Sequence, residues 1–297
     1  MRISCVVVAY HPRTDQIEGL ARSLIDSGAS VVVVDNTEGL SPDAHAEGEL
    51  TTIRLGSNVG IARALNVGIE YAASTADAVL LFDQDSLVQK DFIALLTAQL
   101  EVGEPGVVAP VALDKSMGAE YPSQRLTRFG YPVNVYARDA SAPVRVDLVI
   151  TSGMAITMAT FAKVGLMDES LFIDYVDTEW CFRCRREHVP IHVVPAAMLS
   201  HAIGERSVQV GSVRTFIHGS VRSYYKLRNA LLLLRRKHVP KIFALRQVGP
   251  AIVHAIMQLR LVPAIERSRY SRSFLAAFSD GIRGIEGKRI LSENSLS

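Results

Sequence analysis

Along the first third of the chain, short β-branched runs alternate with stretches whose apolar residues recur every three or four positions. Residues 3–9 carry Ile3, Val6, Val7 and Val8 and stop short of Pro12, the pattern of a strand buried on both faces. Ile17, Leu20, Leu24 and Ile25 then fall at helical spacing, and Gly28 closes that helix. Further strands are predicted over 31–34, 51–55, 78–82 and 107–109, with helices over 61–73 and 92–100. Polar residues gather just past the strand ends. The fold class this predicts is α/β, an open, mostly parallel sheet flanked by helices. Ligands of such sheets bind beyond the carboxyl ends of the strands, where Asp35, Asp83 and Asp85 fall.

The pattern weakens over 118–146, where Pro122, Gly130, Pro132 and Pro143 predict loops and short strands. Apolar signals return over 149–158. Residues 174–187 read as a helix and 191–194 as a strand, broken by Pro195. Beyond Gly204 the chain reads as helical. At 297 residues with 48% apolar content it can fill one large core, or one core plus an extension.

Charge changes the picture, because the net +2 hides an asymmetry. Residues 1–204 hold 15 Lys/Arg against 25 Asp/Glu, and residues 205–297 hold 17 against 5. An acidic body joined to a basic C-terminal part implies surfaces with different partners, anionic lipid or a phosphorylated substrate among them. The basic part carries no nucleic-acid recognition motif, so no nucleic acid is expected. Three cysteines give no disulfide framework and fit a reducing cytoplasm. Cys181 and Cys184 share a C-x-x-C spacing, which reads either as a metal or redox pair or as two small apolar groups on one helix face. The apolar N-terminal run meets His11-Pro12 with no cleavage-site pattern, so it reads as a strand and not a leader. No uninterrupted apolar run reaches spanning length.

Four constellations carry candidate chemistry. Asp83-Gln84-Asp85-Ser86 follows a buried strand, and two carboxylates flanking one residue there can hold a hard divalent cation, Mg²⁺ or Mn²⁺, against a diphosphate. Asp35-Asn36 also ends a strand; its carboxylate can accept a pyrimidine imide N–H, or simply close an Asx turn. Asn58-Val59-Gly60 opens a helix that runs on through Asn66. Asn58 can cap it, and Gly60 permits close backbone approach. In 172–180, Asp174, Asp177 and Glu179 supply three carboxylates; on a helix Asp177 and Glu179 lie about 200° apart and take different roles. Acids at a helix start are also ordinary. His201 is of interest where the fold brings it beside Asp85.

Together these segments resemble the family 2 glycosyltransferases, which have the GT-A fold. The resemblance covers about residues 3–230 and rests on residues 6–12, Val34-Asp35-Asn36, residues 58–62, Asp83-Gln84-Asp85-Ser86, Thr151-Ser152-Gly153 and the block 172–183. The second and last acidic motifs are most similar to those of bacterial dTDP-rhamnosyltransferases that build surface polysaccharides such as O-antigen. The resemblance implies a GT-A catalytic domain over 1–204, with a nucleotide-sugar half near 1–110 and an acceptor half near 111–204. A basic helical extension then covers 205–297. It implies that Ala9, Tyr10 and Asp35 line the nucleobase pocket, with Asn58, Gly60, Asn66, Asp83 and Gln84 also toward the donor. Asp85, Asp83 and His201 would hold the metal. Asp177 would be the catalytic base of an inverting displacement. Ser152, Gly153, Asp174, Glu179 and Trp180 would face the acceptor, although Trp180 reads equally as core. The implied donor is dTDP-L-rhamnose and the acceptor a lipid-linked saccharide. Other nucleotide sugars of the same fold (UDP-galactofuranose, UDP-glucose, UDP-N-acetylglucosamine) stay open, as does a non-catalytic binding protein.

In the C-terminal part, Ile242, Leu245, Ile252, Ile256 and Leu259 oppose Gln247, His254 and Gln258, with Pro250 expected to kink the helix. Basic clusters flank it at 235–241 and 267–272. This suits a helix lying on an anionic membrane, at the cytoplasmic face of the inner membrane, or packed against the catalytic domain or a second subunit. A dinucleotide-dependent oxidoreductase is excluded, because Tyr10-His11-Pro12 stands where its glycine-rich turn belongs.

Overall fold

The computed structural model describes residues 1–114, 118–201, 207–210, 213–216 and 219–289, with backbone alone over 201–216. The first half builds the sheet from β1 (Ile3–Ala9), α1 (Thr14–Asp26), β2 (Ser30–Asp35), β3 (Asp43–Glu47), β4 (Leu50–Arg54), α2 (Ile61–Ala72) and β5 (Ala78–Asp83). There follow β6 (Leu87–Val88), α3 (Phe92–Thr97), β7 (Val107–Asp114), β8 (Ser123–Leu126), β9 (Pro132–Val135) and β10 (Val144–Val146). The rest of the catalytic layer is β11 (Ala155–Thr157), α4 (Met158–Val164), α5 (Val176–Arg186) and β12 (Ile191–His201). A hairpin, β13 (Ser207–Val210) and β14 (Val213–Phe216), then leads to α6 (Ser220–Leu233), α7 (Lys241–Leu261) and α8 (Arg267–Arg283).

Ten strands form one sheet, ordered β10-β12-β7-β11-β5-β1-β2-β4-β3 with β6 beside β12. The pairs β5–β1, β1–β2, β2–β4 and β7–β12 are parallel. Side chains alternate across the sheet. Val6, Val8, Val32, Val34, Val79 and Leu81 enter one core with α2 and α5, while Cys5, Val7, Val31, Val33, Leu80 and Phe82 enter another with α1 and α3. Both faces are therefore buried, as the unbroken valine runs predict. The registers Ala9↔Asp35 and Val8↔Asp83 bring three strand ends level at one edge.

Several expectations change. Pro195 does not end its strand: β12 shifts register between Val194 and Met198 and continues to His201. A proline cannot donate to a ladder, and a bulge absorbs it. The β3 strand is exposed at every residue, and its apolar positions are only the small Ala44 and Ala46. Residues after 204 open with a hairpin rather than a helix, and the helices begin at Ser220. The C-terminal helices are not a separate unit either. Leu232, Leu233, Val239, Phe243 and Ala244 join the same core as Trp180 and Phe182, and Phe182 meets Phe243 edge-on at 4.9 Å. Cys181 and Cys184 are fully buried in that core, and burial pushes the Cys184 thiol up to about 12, so they are packing groups.

The α7 helix is long and apolar enough by length and composition to cross a membrane, against expectation. It packs on α6 and α8 and buries Phe243, Ala244, Ala251, Ala255 and one polar residue, Gln258, which hydrogen-bonds Ser223 (2.5 Å) and His254 (3.0 Å). Its exposed stripe is apolar, formed by Ile242, Leu245, Val253 and Ile256.

The extension also holds the segment ahead of α5. Phe172, Asp174 and Tyr175 all have positive φ, at 65°, 62° and 63°. Each such non-glycine residue costs on the order of 1–2 kcal/mol. From α6, Asn229 Nδ2 lies 2.8, 2.7 and 3.1 Å from the carbonyls of Leu171, Ile173 and Asp174. The fully buried Arg228 donates to the carbonyls of Leu171 (3.1 Å) and Gly287 (2.5 Å). These bonds offset the local strain. Asn229→Ala removes the amide donor to the partly buried Ile173 and Asp174 carbonyls, at a cost of about 1–3 kcal/mol. Thermal denaturation should show a Tm several degrees lower, and an unchanged Tm would refute the clamp.

Candidate active site

The site lies at the carboxyl edge of β1, β2 and β5. Gln84 Oε1 accepts the Tyr10 N–H at 2.7 Å, tying the end of β1 to the acidic turn after β5. The Tyr10 ring is exposed beside this edge, and its hydroxyl donates to Glu38 at 3.1 Å. Asp35 Oδ1 accepts the Thr37 N–H at 3.0 Å, so the Asx turn is real and uses one carboxylate oxygen. Asn36, buried, accepts the Val59 N–H at 2.8 Å and donates to Asn58 Oδ1 at 3.2 Å. That brace joins β2 to the loop before α2. The only hint of it in the sequence is an asparagine placed directly after a strand.

Several residues expected at ligands serve the scaffold. Asn58 does not cap α2; Gly60 is the N-cap residue, and Asn58 Oδ1 accepts the Gly60 N–H two residues on. Gly60 (φ 89°) does permit a close approach, but to protein: a Cβ there would lie 2.6 Å from Phe172. Asn66 is buried, and its amide is engaged by Met167 and Glu169. Ser152 is buried beneath the acidic turn, 2.8 Å from Ser86 Oγ, and supports that turn instead of facing an acceptor. Gly153 (φ 80°) abuts Pro110 and donates to the Leu81 carbonyl at 2.6 Å. Glu179 is buried in a bidentate pair with Arg183 (2.9 Å) and lies 2.7 Å from His238 Nε2. Trp180 is fully buried, with its indole N–H on the Gly165 carbonyl at 2.9 Å. Helical geometry explains the division: Asp177 and Glu179 face opposite ways on α5, so only one can reach the sheet edge.

Asp177 sits in the first turn of α5, where Tyr175 in left-handed geometry sets the helix start. It lines a cavity of about 200 Å³ with Pro110, Tyr121, Gln124 and Leu148. Burial pushes its carboxyl up to about 6; the Thr178 N–H (2.6 Å) and hydroxyl (3.2 Å) pull down, while Asp174 and Asp83 push it further up. Asp83, 94 positions earlier in the chain, is thus close enough for its charge to act on Asp177. Asp174 faces Arg222 of α6 at 3.5 Å. The antiparallel register Ser200↔Leu87 sets the end of β12, and with it the backbone of His201, alongside the Asp85-Ser86 turn. The His201 side chain lies outside the described residues. Mutually repelling carboxylates at a strand edge are the donor set that a hard divalent cation relieves, and Asp83 and Asp85 fit that role chemically.

The sequence model described as Glycosyl transferase family 2 matches residues 4–162. A dTDP-rhamnosyl transferase, RfbF of Shigella flexneri, is 36% identical over 290 residues, covering 96% of this chain and 97% of its own. A low-salt glycan biosynthesis hexosyltransferase, Agl10 of Haloferax volcanii, is 26% identical over 208 residues, 64% and 63% of the two chains. Among solved structures, GalNAc-T7 with UDP, GalNAc and Mn²⁺ superposes with a TM-score of 0.59 at 14% identity, covering 96% of this chain and 56% of that one. S. aureus TarS 1–349 with UDP-GlcNAc gives 0.53 at 15% identity, covering 96% and 82%. These two share the fold, a GT-A sheet with flanking helices. With its strand edge, its paired acidic motifs and this full-length relationship, the chain belongs to glycosyl transferase family 2.

Proposed function

We propose that this glycosyltransferase moves L-rhamnose from dTDP-L-rhamnose to a hydroxyl of a saccharide acceptor, inverting the anomeric carbon. What supports the reading is the acidic turn at the carboxyl edge of β5 together with Asp177, which lines a cavity and whose carboxyl burial pushes up to about 6. The full-length relationship to a dTDP-rhamnosyl transferase supports the donor. On this reading Tyr10 and Asp35 hold the thymine and its ribose. Asp83, Asp85 and His201 would hold a divalent cation, which would supply positive charge to the departing diphosphate. Asp177 takes the proton from the acceptor hydroxyl as its oxygen bonds to the anomeric carbon. A base held near 6 is charged at neutral pH yet keeps more basicity than an ordinary aspartate. The cavity lined by Tyr121, Gln124 and Leu148 admits the acceptor.

We also propose that the enzyme works at the cytoplasmic face of a membrane. Besides the exposed stripe of α7, Leu275, Phe278 and Ile282 of α8 are exposed, and Arg246, Arg260, Arg267, Arg269 and Arg272 lie on or beside these helices. Apolar side chains flanked by arginines suit an anionic bilayer surface.

Asp177→Asn should lower kcat by about 10²–10⁴ while donor affinity persists. In the wild type, kcat should fall as pH drops through about 6, as Asp177 gains its proton. Near-normal turnover of the variant would remove the base assignment. The same shift acts on stability. A carboxyl raised in the folded state favours folding while protonated, and that contribution is lost as pH rises from about 4 through 6. Asp177→Asn should therefore raise the Tm at pH 8 by a few degrees and leave it unchanged at pH 3.5. A lower Tm at pH 8 would contradict the burial described. For the membrane, Leu245→Ser with Val253→Ser should reduce flotation with phosphatidylglycerol vesicles. Flotation equal to wild type would exclude this stripe as the contact.

A further inference from the structure

A second cavity, of about 700 Å³, lies apart from the acidic strand edge. Arg125 of β8, Arg145 of β10, Arg185 and Arg186 of α5 and Lys237 of the α6–α7 connection all line it, and Asp147 is its one carboxylate. Residues 1–204 are acidic as a whole, yet four of their 15 Lys/Arg converge here. Complementing the α5 dipole explains Arg185 and Arg186, which stand in the last turn. It does not explain cations brought from two strands and a connecting loop.

The cleft is partly preorganised. The Arg125 guanidinium is fixed by the Arg145 carbonyl at 3.2 and 2.6 Å. Asp147 accepts the Leu126 N–H at 2.6 Å and lies 3.5 Å from Arg185, so its charge is already shared. Among the described residues no ion pair involves Arg145 or Lys237. Arg186 pairs with Glu187 at 2.8 Å, so Arg145 and Lys237 supply the surplus of positive charge in the cleft, with the planar Arg145 fork suited to phosphate oxygens.

Its position gives it a partner. Ser123 and Gln124 line the Asp177 cavity, and the next two residues of β8, Arg125 and Leu126, line the basic cleft. The same division runs along α5, with Asp177 and Thr178 at one end and Arg185 and Arg186 at the other. Eight helical residues separate Asp177 from Arg185, about 12 Å along the axis. We infer that the basic cleft holds a phosphate or diphosphate carried by the acceptor, at the other end of α5 from the hydroxyl that is glycosylated. The inference rests on the reading of Asp177 as the base at the acceptor hydroxyl. It specifies the acceptor as a phosphorylated saccharide a few sugars long, and gives the enzyme a measure of that length.

The test uses full-length wild type and the double variant Arg145→Gln/Lys237→Gln, whose altered side chains are exposed. Butyl diphosphate is titrated by calorimetry with excess dTDP present to fill the donor site, and flotation with phosphatidylglycerol vesicles is run alongside. The expected result is butyl diphosphate binding by wild type that weakens about tenfold or more in the variant, with flotation unchanged. Equal binding by both proteins, or no binding by either, would overturn the proposal. So would loss of flotation with diphosphate binding intact, which would assign the cleft to lipid headgroups. The readout needs no glycosyl transfer, so a wrong base assignment shows separately, as activity in Asp177→Asn.

Discussion

The structure depends on how α6 holds the backbone of residues 171–175. Three successive departures into positive φ, at Phe172, Asp174 and Tyr175, swing the chain from α4 into α5 and fix where α5 begins. Left alone, such a segment would relax. Asn229 and Arg228 engage its carbonyls, Tyr225 stacks on Phe172 at 4.6 Å, and Gly60 leaves room for the Phe172 ring on the other side. The same ring and backbone meet the start of α2, whose Ile61 N–H donates to the Phe172 carbonyl at 2.8 Å. One clamp thus sets the loop beside β2 and the helix that carries Asp177. The C-terminal helices belong to the catalytic architecture for that reason. Lys288, near the end of the described chain, reaches the Asn58 carbonyl at 2.6 Å and extends the same contact.

Given that clamp, the sheet supplies the rest of the geometry. Level strand ends put Ala9, Asp35 and Asp83 side by side, and the bulge in β12 carries its far end back to the acidic turn. The acidic strand edge and the basic cleft then stand at opposite ends of α5. Charges of both signs are thereby separated along one rigid element instead of cancelling, which suits a substrate whose reacting hydroxyl and anionic group lie at opposite ends.

Much of this was legible in the sequence, and unevenly so. Buried parallel strands announce themselves, because Val6-Val7-Val8 and Val31 to Val34 have no other stable use. Polar residues directly after such strands were legible as a shared edge, and the registers do bring Asp35 and Asp83 to one edge of the sheet. Residues singled out for their type were read less well. Asn66, Glu179 and Trp180 are chemically capable of binding ligands, and their commitments to Met167, Arg183 and Gly165 depend on partners distant in the chain or on helix face. Spacing cannot reveal those. The roles of Arg228 and Asn229 were hidden for the same reason, since they look like one more basic stretch until the loop they hold is seen. Pro195 misled by a sound rule, because a bulge lets a strand continue past a proline.

On the proposed function, the acidic turn after β5 binds a sugar nucleotide through a divalent cation. Calorimetric titration of dTDP-L-rhamnose into the wild type and into Asp85→Asn, each with and without Mg²⁺, tests it most directly. The account predicts Mg²⁺-dependent binding by the wild type that is lost in the variant. Equally tight binding by both proteins irrespective of Mg²⁺, or no binding by the wild type, would contradict it.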